Sequence, residues 1–202
     1  MAALSDIASG LTFRSSLEDL PAGDLKVIQM RDLAEDNTVS LDTAASVEDF
    51  SPKENQIAIA NDIVFRSRGV TNTAAIIPVH PEKAVLAAPL MRIRVTSPDL
   101  RPDYLLWFIN QPATQSFLAT RSKGTMLKMI GKKALEELEI DVPDLETQTK
   151  IARIYRLSLE RQKVQEKLNE LRQLHMHGIL AHKASESCHH KIKGEANVRS
   201  KH

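Results

Sequence analysis

From Leu145 to about Ala181 the sequence contains no proline, and its first glycine is Gly178. Lys, Glu, Gln, Arg and Leu dominate this stretch, all of them good helix formers. Leu157, Val164, Leu168, Leu171 and Leu174 recur at spacings of three, four and seven and draw an apolar seam along a charged helix. At about 1.5 Å per residue such a helix reaches roughly 50 Å, more than one small domain can cover. Part of the seam must therefore find another helix, and residues 145–182 read as a coiled-coil segment for dimerisation or partner binding. Residues 183–202 are polar, charged and without period, and the pattern leaves them disordered.

Before this break the chain reads differently. Short runs rich in Val and Ile at 25–30, 57–65, 74–79, 85–88 and 91–95 are mostly bounded by turn formers and predict β-strands. Residues 91–95 alternate strictly, which places Met91, Ile93 and Val95 against a core and Arg92 and Arg94 on a solvated face. Pro102 opens a helix with the apolar stripe Tyr104, Leu105, Phe108 and Ile109, and Trp107 on it reads as packing. Pro112 stops that helix, and a second begins near Ala113 and carries Phe117 and Leu118. A shorter helix at 132–138 and a strand at 139–142 lead to Pro143, which closes the domain. The expected fold class is α+β: a mixed domain of short strands and helices over 1–144, then one long helix.

A hydrophobic share of 42% over 202 residues suits one globular domain plus an extension. No run approaches the roughly 18 to 20 apolar residues of a membrane span, and no basic-then-apolar leader opens the chain, so the expected location is cytoplasmic. Cys188, beside His189 and His190, has too few companions for a zinc site and reads as a free surface thiol. His175 and His177 lie two apart on a helix and share no face for a metal. The net charge of +1 hides a segregation: residues 1–120 carry ten bases and fifteen acids, whereas 121–202 carry seventeen and eleven. From 63 to 97 five bases face one acid, so a local cationic surface is compatible with the modest total.

Five segments, taken in order, resemble the specificity subunit of type I restriction-modification enzymes. Residues 4–14 are similar to that family's opening strand and glycine turn. Residues 61–69, Asn-Asp-Ile-Val-Phe-Arg-Ser-Arg-Gly, resemble its Gly-Asp-Ile strand and Arg-Gly loop, with Asn61 in place of the usual glycine. Residues 104–110 resemble its Tyr-Leu helix, with Pro102 two residues ahead. Residues 124–130 and 135–143 resemble its glycine-led loop and the following Leu–Ile–Pro pattern. Residues 146–152 are similar to the Glu-Gln…Ile-Ala signature of the long helix, with Thr147 inserted. The resemblance implies one target-recognition domain and one conserved helix, where a full-length subunit has two of each, holds methyltransferase subunits on antiparallel helices and reads a split DNA target. It also implies that S-adenosylmethionine, ATP and Mg²⁺ belong to partner subunits, a methyltransferase and a restriction or translocase subunit, with no cofactor on this chain. A homodimer through Leu157, Val164, Leu168, Leu171 and Leu174 would rebuild the two-domain reader and bind a palindromic split site; a system using one domain is the alternative.

Against that background the first DNA-contact candidates are Arg66, Ser67, Arg68 and Gly69. Two arginines before a glycine make a loop that approaches a duplex closely, and a guanidinium offers two parallel bonds to guanine or phosphate. Thr71 and Asn72 follow as candidates for base edges. Lys123, Gly124, Thr125, Met126 and Lys128 suit backbone and phosphate contacts between helices. Lys132 and Lys133 open the next helix, whose amides favour a phosphate, and Thr12 and Arg14 flank the opening glycine turn.

Enzyme readings find little support. The sequence has no Walker-type phosphate loop, dinucleotide glycine pattern, paired-histidine protease motif or serine elbow, and no Asn-Pro-Pro-aromatic methyltransferase motif. Asp62, Glu54 and Lys53 are not arranged as the acid pair and separate lysine that a nuclease carries on adjoining strands. The expected role is a non-catalytic DNA reader, and the rival is a coiled-coil adaptor whose globular part binds protein.

Overall fold

The computed structural model describes residues 1–13, 23–48, 50–69, 72–122, 124 and 128–196, the side chains through residue 185. Among the described residues, eight short strands form two four-stranded sheets. The first has the order β1 (Ser5–Ser9), β8 (Leu90–Val95), β5 (Ile63–Arg66), β6 (Ala74–Ile76), every pair antiparallel. The second has the order β3 (Ala45–Val47), β2 (Leu25–Ile28), β7 (Lys83–Leu86), β4 (Ile57–Ala58), with β2 and β7 parallel.

Alternation along the strands splits the interior into layers. Ile7, Ile63, Phe65, Met91 and Ile93 line one face of the first sheet and pack on α1 (Pro102–Ile109), α2 (Pro112–Thr120) and α3 (Lys132–Glu136). The opposite face turns Val64, Ala75 and Leu90 onto Ile28, Ala84 and Leu86 of the second sheet. Leu25, Val27, Val85 and Ala87 form a third cluster, flanked by Leu11 and Phe13. At Gly10 an added Cβ would lie 2.7 Å from the Ala87 carbonyl carbon, so only glycine lets the chain after β1 pass against the end of β7. The side-chain amide of Asn110 pairs with the backbone of Ala74 at 2.9 and 3.0 Å, tying the end of α1 to β6 as a neighbouring strand would.

The fold is α+β, and Trp107 packs on the helical cluster as its apolar neighbours imply. Three expectations change in detail. The apolar run 57–65 is two strands in different sheets, because Asn61 takes a left-handed turn at φ 68° and donates its N–H to the Ile77 carbonyl. Residues 139–142 form no strand, since local carbonyls are engaged elsewhere: Leu138 accepts from the Met1 amino group at 2.5 Å and Asp141 from the Tyr104 hydroxyl at 2.6 Å. Arg92 is buried and Arg94 only partly exposed, and each pairs with an acid, Arg92 with Asp6 and Arg94 with Asp62.

The long helix α4 runs Leu145–Ala196. Asp144 caps it, accepting from the Thr147 amide at 2.9 Å and hydroxyl at 2.7 Å, which holds its carboxyl below the usual range. The helix passes residue 182, where the composition places the start of a disordered tail, because no proline interrupts it. The side chains of Cys188, His189 and His190 and all of residues 197–202 lie outside the described residues. By internal contacts the chain divides into Met1–Arg156 and Leu157–His202. No helix among the described residues is long and apolar enough to cross a membrane.

Candidate nucleic-acid interface

The strand β5 delivers Arg66 to the end of the first sheet, and the backbone turns at Gly69, whose φ of 129° few other residues adopt. Ser67 is buried, and its hydroxyl donates to the Pro89 carbonyl, so it braces the turn instead of presenting a contact. Arg66 is half-buried and donates from Nη2 to the Met30 carbonyl at 2.8 Å. Arg68 is exposed, with no hydrogen bond or ion pair among the described residues. Asn72 uses its amide nitrogen on the Arg66 carbonyl at 3.0 Å, which supports the loop from behind.

A second segment lies directly beside this loop. Arg68 and Met129 form an antiparallel bridge, and the Ile130 amide donates to the Ser67 carbonyl at 2.8 Å. Ile130 is buried, whereas Lys128 and Met129 point to solvent. That bridge joins two candidate loops far apart in sequence and sets Arg68 opposite Met129, the residue after Lys128, with Lys132 and Lys133 following at the start of α3. Both α3 lysines are exposed and near acids one turn on, Lys132 to Glu136 at 3.5 Å and Lys133 to Glu137 at 3.9 Å. Such surface pairs are weak and leave the ammonium groups available to another anion. Gly124 is exposed at φ 109°, and Thr12 is exposed after the Gly10 turn. Arg14, Thr71, Lys123, Thr125 and Met126 lie outside the described residues.

Arg94 is structural. Arg94 forks onto Asp62, Nε to Oδ1 at 2.7 Å and Nη2 to Oδ2 at 2.6 Å; this ion pair raises the guanidinium pKa and occupies the acid that resembles a nuclease residue. Sequence reasoning also missed Gln148, fully buried near the start of α4. Its oxygen accepts from the Arg101 amide at 2.8 Å, and its nitrogen donates to the carbonyls of Asp99 and Pro143, both at 2.7 Å. A glutamine among exposed polar residues carries no local sign of this; only its place in the Glu-Gln…Ile-Ala pattern marks it.

The chain thus combines a two-sheet domain that carries Arg68 and Lys128 on its surface with one long helix that follows it in sequence. The family model for the type I restriction modification DNA specificity domain matches residues 2–171, and the chain belongs to that family. Solved structures agree on the fold. The HsdS subunit of Thermoanaerobacter tengcongensis is 18% identical with a TM-score of 0.57, covering 82% of this chain and 37% of that one. A chain from a structure on complex assembly and conformational transition of the type I R-M system is 20% identical, TM-score 0.61, covering 85% and 41%. The type I restriction-modification S subunit of M. genitalium is 16% identical, TM-score 0.55, covering 84% and 40%. This chain therefore spans about two fifths of the length of these neighbours. No curated protein matches it.

Proposed function

We propose that the chain is the DNA sequence-recognition part of a type I restriction-modification complex, itself non-catalytic, which directs a methyltransferase to a split target. The single observation that carries this reading is the backbone bridge between Arg68 and Met129, which unites the Arg66–Gly69 turn with the Lys128–Lys133 segment in one exposed cationic rim. Arg68 serves as the base- or phosphate-reading fork, Lys128, Lys132 and Lys133 as phosphate contacts, and Ser67 and Asn72 as supports of the loop. The seam from Leu157 to Leu174 pairs with the same helix of a second copy, and the two-fold dimer reads a palindromic split site in the cytoplasm. S-adenosylmethionine, ATP and Mg²⁺ act on the partner methyltransferase and restriction subunits.

The test is an anisotropy titration of the target duplex with the methyltransferase present. Arg68→Ala is expected to weaken specific binding by about 1–3 kcal/mol without changing the unfolding midpoint. Binding is expected to fall steeply with salt, the slope counting neutralised phosphates. Unchanged affinity in the variant sinks the role of Arg68, and a flat salt dependence favours protein docking instead.

A further inference from the structure

The first turns of α4 belong to the compact unit that ends at Arg156, and Tyr155 is half-buried there against the helical core cluster. Its hydroxyl accepts from Nδ2 of Asn37 at 2.9 Å and also meets the side chain of Asn110 at the end of α1. Burial raises the pKa of the phenol, and the two amides act against that rise, as donors to its oxygen do.

Both amides lead to the same strand. Asn37 holds a left-handed turn at φ 58°; its carbonyl accepts from the Ile76 amide at 2.9 Å, and the Val39 amide donates to the Ile76 carbonyl at 3.1 Å. Asn110 pairs with both backbone groups of Ala74, and an amide nitrogen carries two hydrogens, so it can hold Ala74 and Tyr155 at once. The strand they support, β6, is the last in its sheet. Its start closes the turn that follows β5: the Arg66 amide donates to the Thr73 carbonyl at 3.0 Å, and the Asn72 side chain to the Arg66 carbonyl at 3.0 Å.

We propose that Tyr155 is a positioning residue, its hydroxyl coupling α4 to β6 and, through β6, to the turn that presents Arg68. Every step of that route is a hydrogen bond between adjoining segments, which is the kind of contiguous network through which coupling travels. The helix assigned to partners and the turn assigned to DNA thus share one hydroxyl. The consequence for DNA rests on the proposed reading of that turn; the coupling of helix to turn does not.

The experiment is amide hydrogen exchange of the ¹⁵N-labelled full chain, wild type against Tyr155→Phe, which keeps the ring and removes the hydroxyl. The Arg66, Ala74 and Ile76 amides are expected to exchange about five- to tenfold faster in the variant, the scale of a lost neutral hydrogen bond, with β1 and β8 unchanged. Wild-type rates at those three amides overturn the coupling. So does an acceleration shared equally by β1 and β8, which marks a general loss of stability. Asn37→Gly keeps the left-handed turn, removes the donor and is expected to give the same local pattern; it decides by the same criteria should Tyr155→Phe not fold.

A titration of the target duplex with the methyltransferase present reads the consequence. Tyr155→Phe is expected to weaken binding about threefold, and to have no such effect once Arg68→Ala is in place. Its salt slope is expected to stay unchanged, since no phosphate contact is lost. An equal loss in both backgrounds overturns the route through the turn. A wild-type chain that binds no duplex removes the DNA reading alone, and the exchange rates still decide the coupling.

Discussion

The domain up to Arg156 and the helix after it treat apolar side chains in opposite ways. Phe65, Ile63, Leu105 and Leu135 are completely buried within the first, whereas Leu157 is 49% and Leu174 69% exposed along the second. The first stretch acquires its own core by layering helices and sheets. The second has a helical pattern and no core among the described residues, so its leucines add little to the stability of the domain before it.

Removing a buried charge partner tests the self-contained half most severely. Asp62→Ala leaves the Arg94 guanidinium without its fork and is expected to destabilise the domain by about 3–5 kcal/mol in urea unfolding. A change under about 1 kcal/mol would mean that solvent reaches the pair. Gln148→Leu strands the Arg101 amide and two carbonyls and is expected to cost about 1–3 kcal/mol. If that variant unfolds like the wild type, α4 is not anchored through this amide.

Across the boundary the same measurements should fall silent. Leu168→Ala with Leu171→Ala is expected to change the unfolding of the domain by no more than about 0.5 kcal/mol, as substitutions at exposed sites do. The pair should nevertheless shift sedimentation toward the monomer at fixed concentration. An unchanged mass together with a destabilised domain would erase the contrast between the two stretches. The smallest effect concerns the cap of α4. Because Asp144 has a lowered pKa, its capping contribution is present at neutral pH and is lost as acid takes the pH below the ordinary carboxylate range through that lowered value. Circular dichroism of wild type against Asp144→Ala should converge at low pH and separate near neutrality.

Much of the fold was legible in local pattern. Pro102 marks the start of α1 and Pro112 the break after it, α2 beginning at that proline one residue ahead of Ala113, and the alternation at 91–95 places Met91 and Ile93 on the helical core. The fate of Arg92 and Arg94 was not legible, because period two tells which residues share a face and not what covers that face. The strand run 57–65 misled for a related reason: nothing in Ile57 or Ile63 says that the two pair with different sheets. Among the candidate contacts, Arg68 and Lys128 are exposed as expected, but Ser67 turns inward, since a short hydroxyl beside a passing carbonyl is better satisfied there.

The sequence by itself determined where order changes character: strands and turns up to Pro143, then an uninterrupted helix whose leucines cannot all be covered locally. Those are properties of spacing and backbone propensity, which act between near neighbours. Only the tertiary structure decided that the turn after β5 lies against Ile130, that Asp62 neutralises Arg94 and that a buried Arg92 meets Asp6. Each depends on which distant segments meet, and a buried charge or amide is stable only where that meeting supplies its partner.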